Sequence, residues 1–293
     1  MNIETFRTTY EQILFNRFFE LQVKLFYDKG IVNPPIYLSV GTEHIPPSIL
    51  AAFIDSNFGF NDFAVFPQHR CHSYYLTFNG DPESLALELC GNTKGCNKGM
   101  GGSASVSNNK TANLFGHSGL LGDQVPIGTG YAFASGKPTV VILGDAAAEE
   151  DYVFGALGFA VTKNVPVLFI CEDNDLSILT PKKIRRNWRI EDVSKGFGIT
   201  SYSLRDDIYQ IYDHVSSFLL DPKPMLLNLE CQRHLWHAGT GVDGQPKWDT
   251  FASVQAYAKS SLGELEQKTI IQEQSSFASQ IWSTVVDEIK RCN

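Results

Sequence analysis

The sequence predicts an α/β fold built on a doubly wound, mostly parallel sheet, and three observations carry that expectation. Val140, Val141, Ile142 and Leu143 form a short continuous apolar run, as a parallel strand buried on both faces requires. A helix-length stretch follows to Lys163, and a second apolar run extends from Val165 to Cys171. Gly144-Asp145 ends the first run and Asn174 follows the second. The segment 138–181 is therefore a β-α-β unit whose crossover is right-handed by rule. Asp145 and Asn174 fall just past the carboxyl ends of parallel strands, where open α/β sheets hold their ligands. A carboxylate and an amide oxygen converging there suit a hard divalent cation such as Mg2+. The same residue types also serve as helix caps and turn formers, so the pair alone leaves a purely structural reading open.

Bulk properties narrow the class. At 293 residues and 43% hydrophobic, the chain is long enough to bury one large α/β core, and without a low-complexity linker or repeat one domain over 1–293 is expected. A net charge of −8 offers no electrostatic footprint for nucleic acid or an anionic membrane surface. No run approaches the roughly 18 to 20 apolar residues that span a bilayer. The start, Met-Asn-Ile-Glu-Thr-Phe-Arg, lacks a charged-then-apolar signal pattern, and the six scattered cysteines show no CxxC spacing. Together these predict a cytoplasmic protein with reduced thiols.

Taken in order, residues 8–29 read as an amphipathic helix. Thr8 and Glu11 form a capping box, Gly30 ends the helix, and Ile13, Leu14, Phe18, Leu21 and Leu25 make the apolar face. Phe63 to Phe66 is a short strand, followed by Pro67-Gln68-His69-Arg70-Cys71-His72. Asp81-Pro82 opens a helix that Gly91 closes. A long glycine-rich connection, Gly91 to Ser103, is too complex to be a flexible linker, and irregular stretches of that length are usually functional or mobile. Gly116 to Gly130 leads into the helix before the central strand. Glycines at 128, 130, 155 and 158 cost helix propensity, which predicts close approach of either a second subunit or the sheet itself. The basic run Lys182, Lys183, Arg185, Arg186 and Arg189 is either a solvated loop, the commoner case, or a partner or substrate-gating contact beside the site. Asp206 caps a helix to Leu220, Asp221-Pro-Lys-Pro turns the chain, and Met225 to Glu230 is another buried strand. Arg233-His-Leu-Trp-His237-Ala-Gly-Thr-Gly then enters a glycine-rich loop of the kind that forms active-site lids. Residues 249–291 form a helical, amphipathic tail.

Gly144-Asp145 with Asn174 inside Cys-Glu-Asp-Asn, then Thr180-Pro181, resembles the thiamine-diphosphate motif that begins Gly-Asp-Gly and ends in Asn. The version here is most similar to the alpha subunits of the 2-oxo acid dehydrogenases, the pyruvate, branched-chain and acetoin group. Gly91-Asn-Thr-Lys-Gly-Cys-Asn-Lys-Gly-Met-Gly-Gly-Ser103 matches that family's glycine-rich stretch, and His69-Arg70-Cys71-His72 falls on its Tyr-Arg-x-His segment. The resemblance implies that Asp145, Asn174 and the main-chain carbonyl of Leu176 hold Mg2+. It also implies that Arg70, His69, Gly119, Leu121, Gly144, Asp145, Ala146, Ala147, Asn174 and His237 bind thiamine diphosphate. His237 and His72 are implied as catalytic. Departures from the pattern are Ala146 for the third motif residue, His69 for a tyrosine, and Tyr37 and Ser105 where the family often carries histidines.

The family activity implied is decarboxylation of a 2-oxo acid and transfer of the acyl unit to a lipoyl group. The losses at Tyr37 and Ser105 leave room for another acceptor, such as an aldehyde or a sugar-derived carbonyl. The resemblance further implies a beta-type partner that supplies an activating glutamate in an α2β2 assembly, and contact with a lipoyl domain. A transketolase-like half-enzyme and a non-catalytic scaffold subunit are the alternatives.

Overall fold

The central apolar runs become strands packed on both sides. In the computed structural model, which describes residues 1–292, β1 (Ala64–Phe66), β2 (Thr139–Gly144) and β3 (Val167–Asp173) are parallel neighbours. Directly after β3, the two-residue strands β4 (Leu176–Ser177) and β5 (Thr180–Pro181) pair as a small antiparallel hairpin. β6 (Thr200–Arg205) and β7 (Met225–Glu230) complete a five-stranded, all-parallel sheet of order β1-β2-β3-β7-β6. Gly144 lies opposite Glu172, and Asp173 opposite Glu230, so the carboxyl ends of β2, β3 and β7 finish level with one another.

Alternate strand residues face opposite sides, and the buried side chains sort accordingly. Val140, Ile142, Leu168, Ile170, Leu227 and Leu229 pack into one core. That core is shared with α1 (Ile3–Asp28), α2 (Ile45–Asp55), α3 (His72–Thr77), α4 (Pro82–Leu89), α9 (Ile208–Leu220) and α11 (Glu264–Cys292). Phe66, Val141, Leu143, Phe169, Cys171 and Leu226 pack on the other side with α5 (Gln124–Ser135), α6 (Asp151–Lys163) and α8 (Ile190–Gly196). The short α7 (Lys182–Arg185) follows β5, and α10 (Thr250–Leu262) precedes α11. The fold is thus α/β with helices on both faces of a parallel sheet. No helix among the described residues is long and apolar enough to cross a membrane.

Several elements differ from their sequence expectation. α1 begins at Ile3, capped by Asn2, whose Oδ1 accepts from the Thr5 amide at 2.9 Å. Thr8 instead donates to the Glu4 carbonyl, as a hydroxyl inside a helix does. The buried face runs through Phe6, Tyr10, Ile13, Leu14, Phe19 and Val23, whereas Leu21 and Leu25 face outward. β6 escapes sequence reasoning because an edge strand such as Thr-Ser-Tyr-Ser-Leu-Arg needs no apolar run. Asp207, not Asp206, caps α9, accepting from the Tyr209 and Gln210 amides at 3.0 Å. Asp206 is buried and accepts from Trp248 Nε1 at 2.9 Å and Thr250 Oγ1 at 2.7 Å, tying α10 to the sheet. The glycine question has a divided answer. A Cβ on Gly128 would meet Val141 of the sheet at 2.6 Å, while Gly130 and Gly155 face open space.

The glycine-rich connection is organised from within. Glu88 is buried on α4, and its carboxylate accepts from the amides of Asn97 (2.7 Å), Gly99 (2.8 Å), Gly101 (2.7 Å) and Gly102 (3.1 Å). The loop wraps around a side chain of its own domain, which fixes Ser103 at its end. Gly99 has φ +74°, and a Cβ there would strike Gly91 backbone at 2.6 Å, so the wrap needs glycine at that position. Replacing Glu88 with Ala strands these amides and should destabilise the chain by about 3 kcal/mol. A lower urea midpoint with faster tryptic cleavage at Lys94 and Lys98 is the expected result; an unchanged midpoint would show that the loop is held by other means.

Candidate active site

Four strand ends and one turn converge on a single cavity of about 640 Å³, part of it open to solvent. Gln68, His69 and Arg70 enter from the end of β1; Gly144, Asp145, Ala146 and Ala147 from β2. Asn174, Leu176, Ser177 and Ile178 follow β3, and Arg233 and His237 follow β7. His117, Leu121, Gly122 and Gln124 close the wall from the turn before α5. The residues singled out in sequence meet here, with two exceptions. Gly119 sits beside the wall and donates its amide to His117 Nδ1 at 2.9 Å, so it orients a lining residue without lining the cavity. His72 does not reach the cavity.

His72 begins α3, and its ring is fully buried on the α1 side. Nδ1 lies 3.2 Å from both oxygens of the buried Glu20 carboxylate, and Nε2 is 2.8 Å from Ser103 Oγ. Ser103 Oγ in turn accepts from the Tyr37 amide at 2.8 Å. His72 therefore supports the site through Tyr37, whose ring stands edge-on to His69 (centroids 5.1 Å) and His237 (5.5 Å). The sequence expectation of a directly reacting His72 is corrected to a positioning one.

One end of the cavity carries an uncompensated cation. Arg70 is buried and has no carboxylate partner within ion-pair distance among the described residues. It donates to the Leu38 carbonyl at 3.1 Å and to the His237 carbonyl at 3.0 Å. Burial and the nearby Arg233 lower its pKa to about 10, which still leaves it charged at neutral pH. Arg233 pairs with Asp243, yet its Nη1 is buried without a partner. Burial and these guanidinium groups push the histidines the other way from protonation, His237 down to about 4 and His69 well below its ordinary value. His117 is lowered too, chiefly by burial. Arg70 Nη2 lies 3.2 Å from His237 Nδ1. A guanidinium only donates, so the neutral ring carries its proton on Nε2. The same reasoning puts the His117 proton on Nε2, which is buried without a partner, as is His69 Nε2. Orphaned polar atoms beside an unpaired guanidinium describe a site built for an anionic, hydrogen-bonding ligand.

The other end carries the acid. Asp145 is 2% exposed, and burial together with the nearby Asp173 raises its pKa to about 6 against the opposing pull of Arg185. Its carboxylate is ion-paired with Arg185, which also pairs with Glu149. Its main-chain carbonyl accepts from Arg186 Nη1 at 2.8 Å. Lys182 pairs with Asp173. The basic run is therefore bound to the acidic end of the site, and only Lys183 and Arg189 of its cations are exposed. Asn174 Oδ1 accepts from the Leu176 amide at 3.0 Å, which leaves a lone pair. The hard oxygens of Asp145, Asn174 and Leu176 have the donor chemistry of a magnesium site. No cluster of three or more His, Cys, Asp or Glu side chains with metal-binding geometry occurs among the described residues.

Sequence reasoning gave no site role to Gln68, His117, Gly122, Gln124 and Arg233, which lie in segments it singled out, nor to Ser177 and Ile178. Arg185 was missed as a member of this site because a basic run gives no hint of the carboxylates it meets.

The family described as dehydrogenase E1 component matches residues 49–217. The mitochondrial pyruvate dehydrogenase E1 component subunit alpha of Dictyostelium discoideum is 32% identical over 162 residues, 54% of this chain and 41% of that protein. The corresponding alpha subunit of Rickettsia bellii is 29% identical over 248 residues, 80% of this chain and 73% of that protein. That of Rickettsia conorii is 27% identical over 281 residues, 92% of this chain and 82% of that protein.

The depressed histidines have a signed consequence. An unfolded chain takes up imidazole protons below about pH 6.5, whereas the folded one resists until His237 titrates near pH 4. Stability carried by neutral His237 is complete above pH 6.5 and is lost as the pH falls toward 4. Asp145 acts with the opposite sign, since its raised pKa favours the protonated folded state between about pH 4 and 6. Urea unfolding at pH 6.5 and 4.5 should show a smaller acid loss in His237→Gln than in the wild type. An identical loss would mean that His237 titrates near its ordinary value.

Proposed function

The chain belongs to the dehydrogenase E1 component family, and on that premise we propose that it is the alpha-type subunit of a thiamine-diphosphate-dependent enzyme. The reaction is decarboxylation of a 2-oxo acid, with transfer of the acyl unit to a lipoyl group or another acceptor. One observation carries the reading: an unpaired guanidinium, Arg70, and a hard-oxygen set, Asp145 with Asn174, line one cavity at the strand ends. When bound, thiamine diphosphate supplies a nucleophilic carbon and an electron sink for loss of carbon dioxide. Arg70 and the Nε2–H of His237 hold the diphosphate, with the backbone of Gly144 to Ala147 alongside. Asp145, Asn174 and the Leu176 carbonyl hold Mg2+. His117 and His69, both neutral, offer hydrogen bonds to the substrate without adding charge, and Tyr37 sets the angle of His69 and His237.

The partner is a beta-type subunit. Asp145 is the one carboxylate among the cavity-lining residues. Glu149 is engaged with Arg185, and Glu172 is sealed behind the site by Tyr74, whose hydroxyl donates to it at 2.6 Å, and by Gln68. Activation of the cofactor requires an acid at its far ring, and no glutamate is among the residues that line this cavity. The outer face of α5 and α6 exposes Ile127, Phe133 and Phe159 around Gly130 and Gly155, which suits a close helix-on-helix interface. An α2β2 assembly, in which this chain acts as one diphosphate-end domain, follows. The free thiols of Cys71, Cys90, Cys96, Cys171 and Cys231 suit the reducing cytoplasm; the side chain of Cys292 lies outside those described.

The purified chain alone should not decarboxylate pyruvate or branched 2-oxo acids with an artificial electron acceptor, and adding the partner should restore turnover. Robust cofactor-dependent turnover by the single chain would end the half-site reading. In the assembled enzyme, Asp145→Ala should weaken thiamine diphosphate binding in Mg2+ by about 3 kcal/mol, roughly a hundredfold or more. Unchanged affinity would contradict the assignment of Asp145.

A further inference from the structure

Arg185 holds the position that a cation bound to Asp145 would need. Its guanidinium bridges the carboxylates of Asp145 and Glu149, both ion pairs being largely shielded from solvent. Around it the charges balance: Asp145, Glu149 and Asp173 face Lys182, Arg185 and Arg186. A dication at the same carboxylate would stand beside that guanidinium as a like charge, in a site where burial already weakens screening. The two occupants exclude one another.

We propose that Arg185 is a resident counter-ion of Asp145 that a divalent cation must displace, which makes the segment 181–189 a latch over the acidic end of the cavity. The segment is built to move. α7 buries no residue of its own, and Ile184 is 71% exposed, so charge contacts and not apolar packing hold it down. Those contacts are incomplete, because Nε of both Arg185 and Arg186 is buried without a hydrogen-bond partner in the closed position. Leaving such donors unmet costs free energy, which brings the closed state nearer to an open one. Arg186 supplies the hinge side: its guanidinium lies 4.4 Å over the Trp188 ring, and that ring packs edge-on against Phe154 of α6 at 5.5 Å. Opening releases Arg185 while Arg186 keeps its hold on the Asp145 carbonyl and on Trp188.

The inference rests on the functional reading above for its purpose, but its test does not need the cofactor. Mn2+ alone is titrated into the full chain and free ion is counted by electron paramagnetic resonance. Arg185→Gln should bind Mn2+ at least tenfold more tightly than the wild type, and Asp145→Asn should lose the site in either background. Equal or weaker binding by Arg185→Gln, or Mn2+ binding that survives Asp145→Asn, overturns the proposal. A second readout uses the unaltered chain, in case the variant folds poorly. Mg2+ should speed tryptic cleavage after Lys182, Lys183 and Arg185; an unchanged cleavage rate overturns the latch. A chain that passes these tests yet binds no thiamine diphosphate with its partner present would refute the cofactor reading and leave the competition at Asp145 intact.

Discussion

The site depends on Arg70, a guanidinium buried without a carboxylate to neutralise it. A single side chain at the end of β1 donates to Leu38 in the segment before α2 and to His237 beyond β7. It thereby joins three stretches that are remote in sequence, and it does so with backbone carbonyls that satisfy its protons but not its charge. A buried cation in that condition is costly unless an anion arrives. The neighbouring histidines show the strength of its field, since it helps hold His69 and His237 neutral. The same field that suppresses imidazolium favours a diphosphate.

The parallel sheet is what brings the remaining groups within reach. Level strand ends at Gly144, Asp173 and Glu230 put the residues that follow each strand at one edge. Both faces are covered by helices, so that edge is where loops and ligand can meet. The rest of the molecule then acts as support. Glu88 holds the glycine-rich loop, the loop fixes Ser103, and Ser103 with His72 fixes Tyr37 against the imidazoles. That chain of contacts explains how a histidine outside the cavity belongs to its machinery.

Much of this was legible in the sequence because the determinants are local. Continuous apolar runs ending in Gly144-Asp145 and Asn174 state both the strands and the position of the site, whereas Leu121 was reached only through the family resemblance. What was illegible depends on tertiary partners. The edge strand β6 carries no apolar run because only one neighbour pairs with it. The true start of α1 was hidden because Thr8 and Glu11 mimic a cap further along the chain, while Asn2 makes the real one. His72 looked reactive because sequence does not reveal that Glu20 and Ser103 already occupy both its nitrogens. The basic run after Pro181 read more readily as a solvated loop, and only the fold brings Arg185 to Asp145.

The acidic and basic ends make opposite demands on a ligand, and both are met by one that carries a diphosphate next to a divalent cation. The most direct measurement is amide hydrogen exchange on the assembled enzyme with and without thiamine diphosphate and Mg2+. The account predicts joint protection of the segments 68–70, 144–148, 174–178 and 233–238, which are remote in sequence and meet at this cavity. Protection confined to one of these segments, or appearing only elsewhere in the chain, would contradict it.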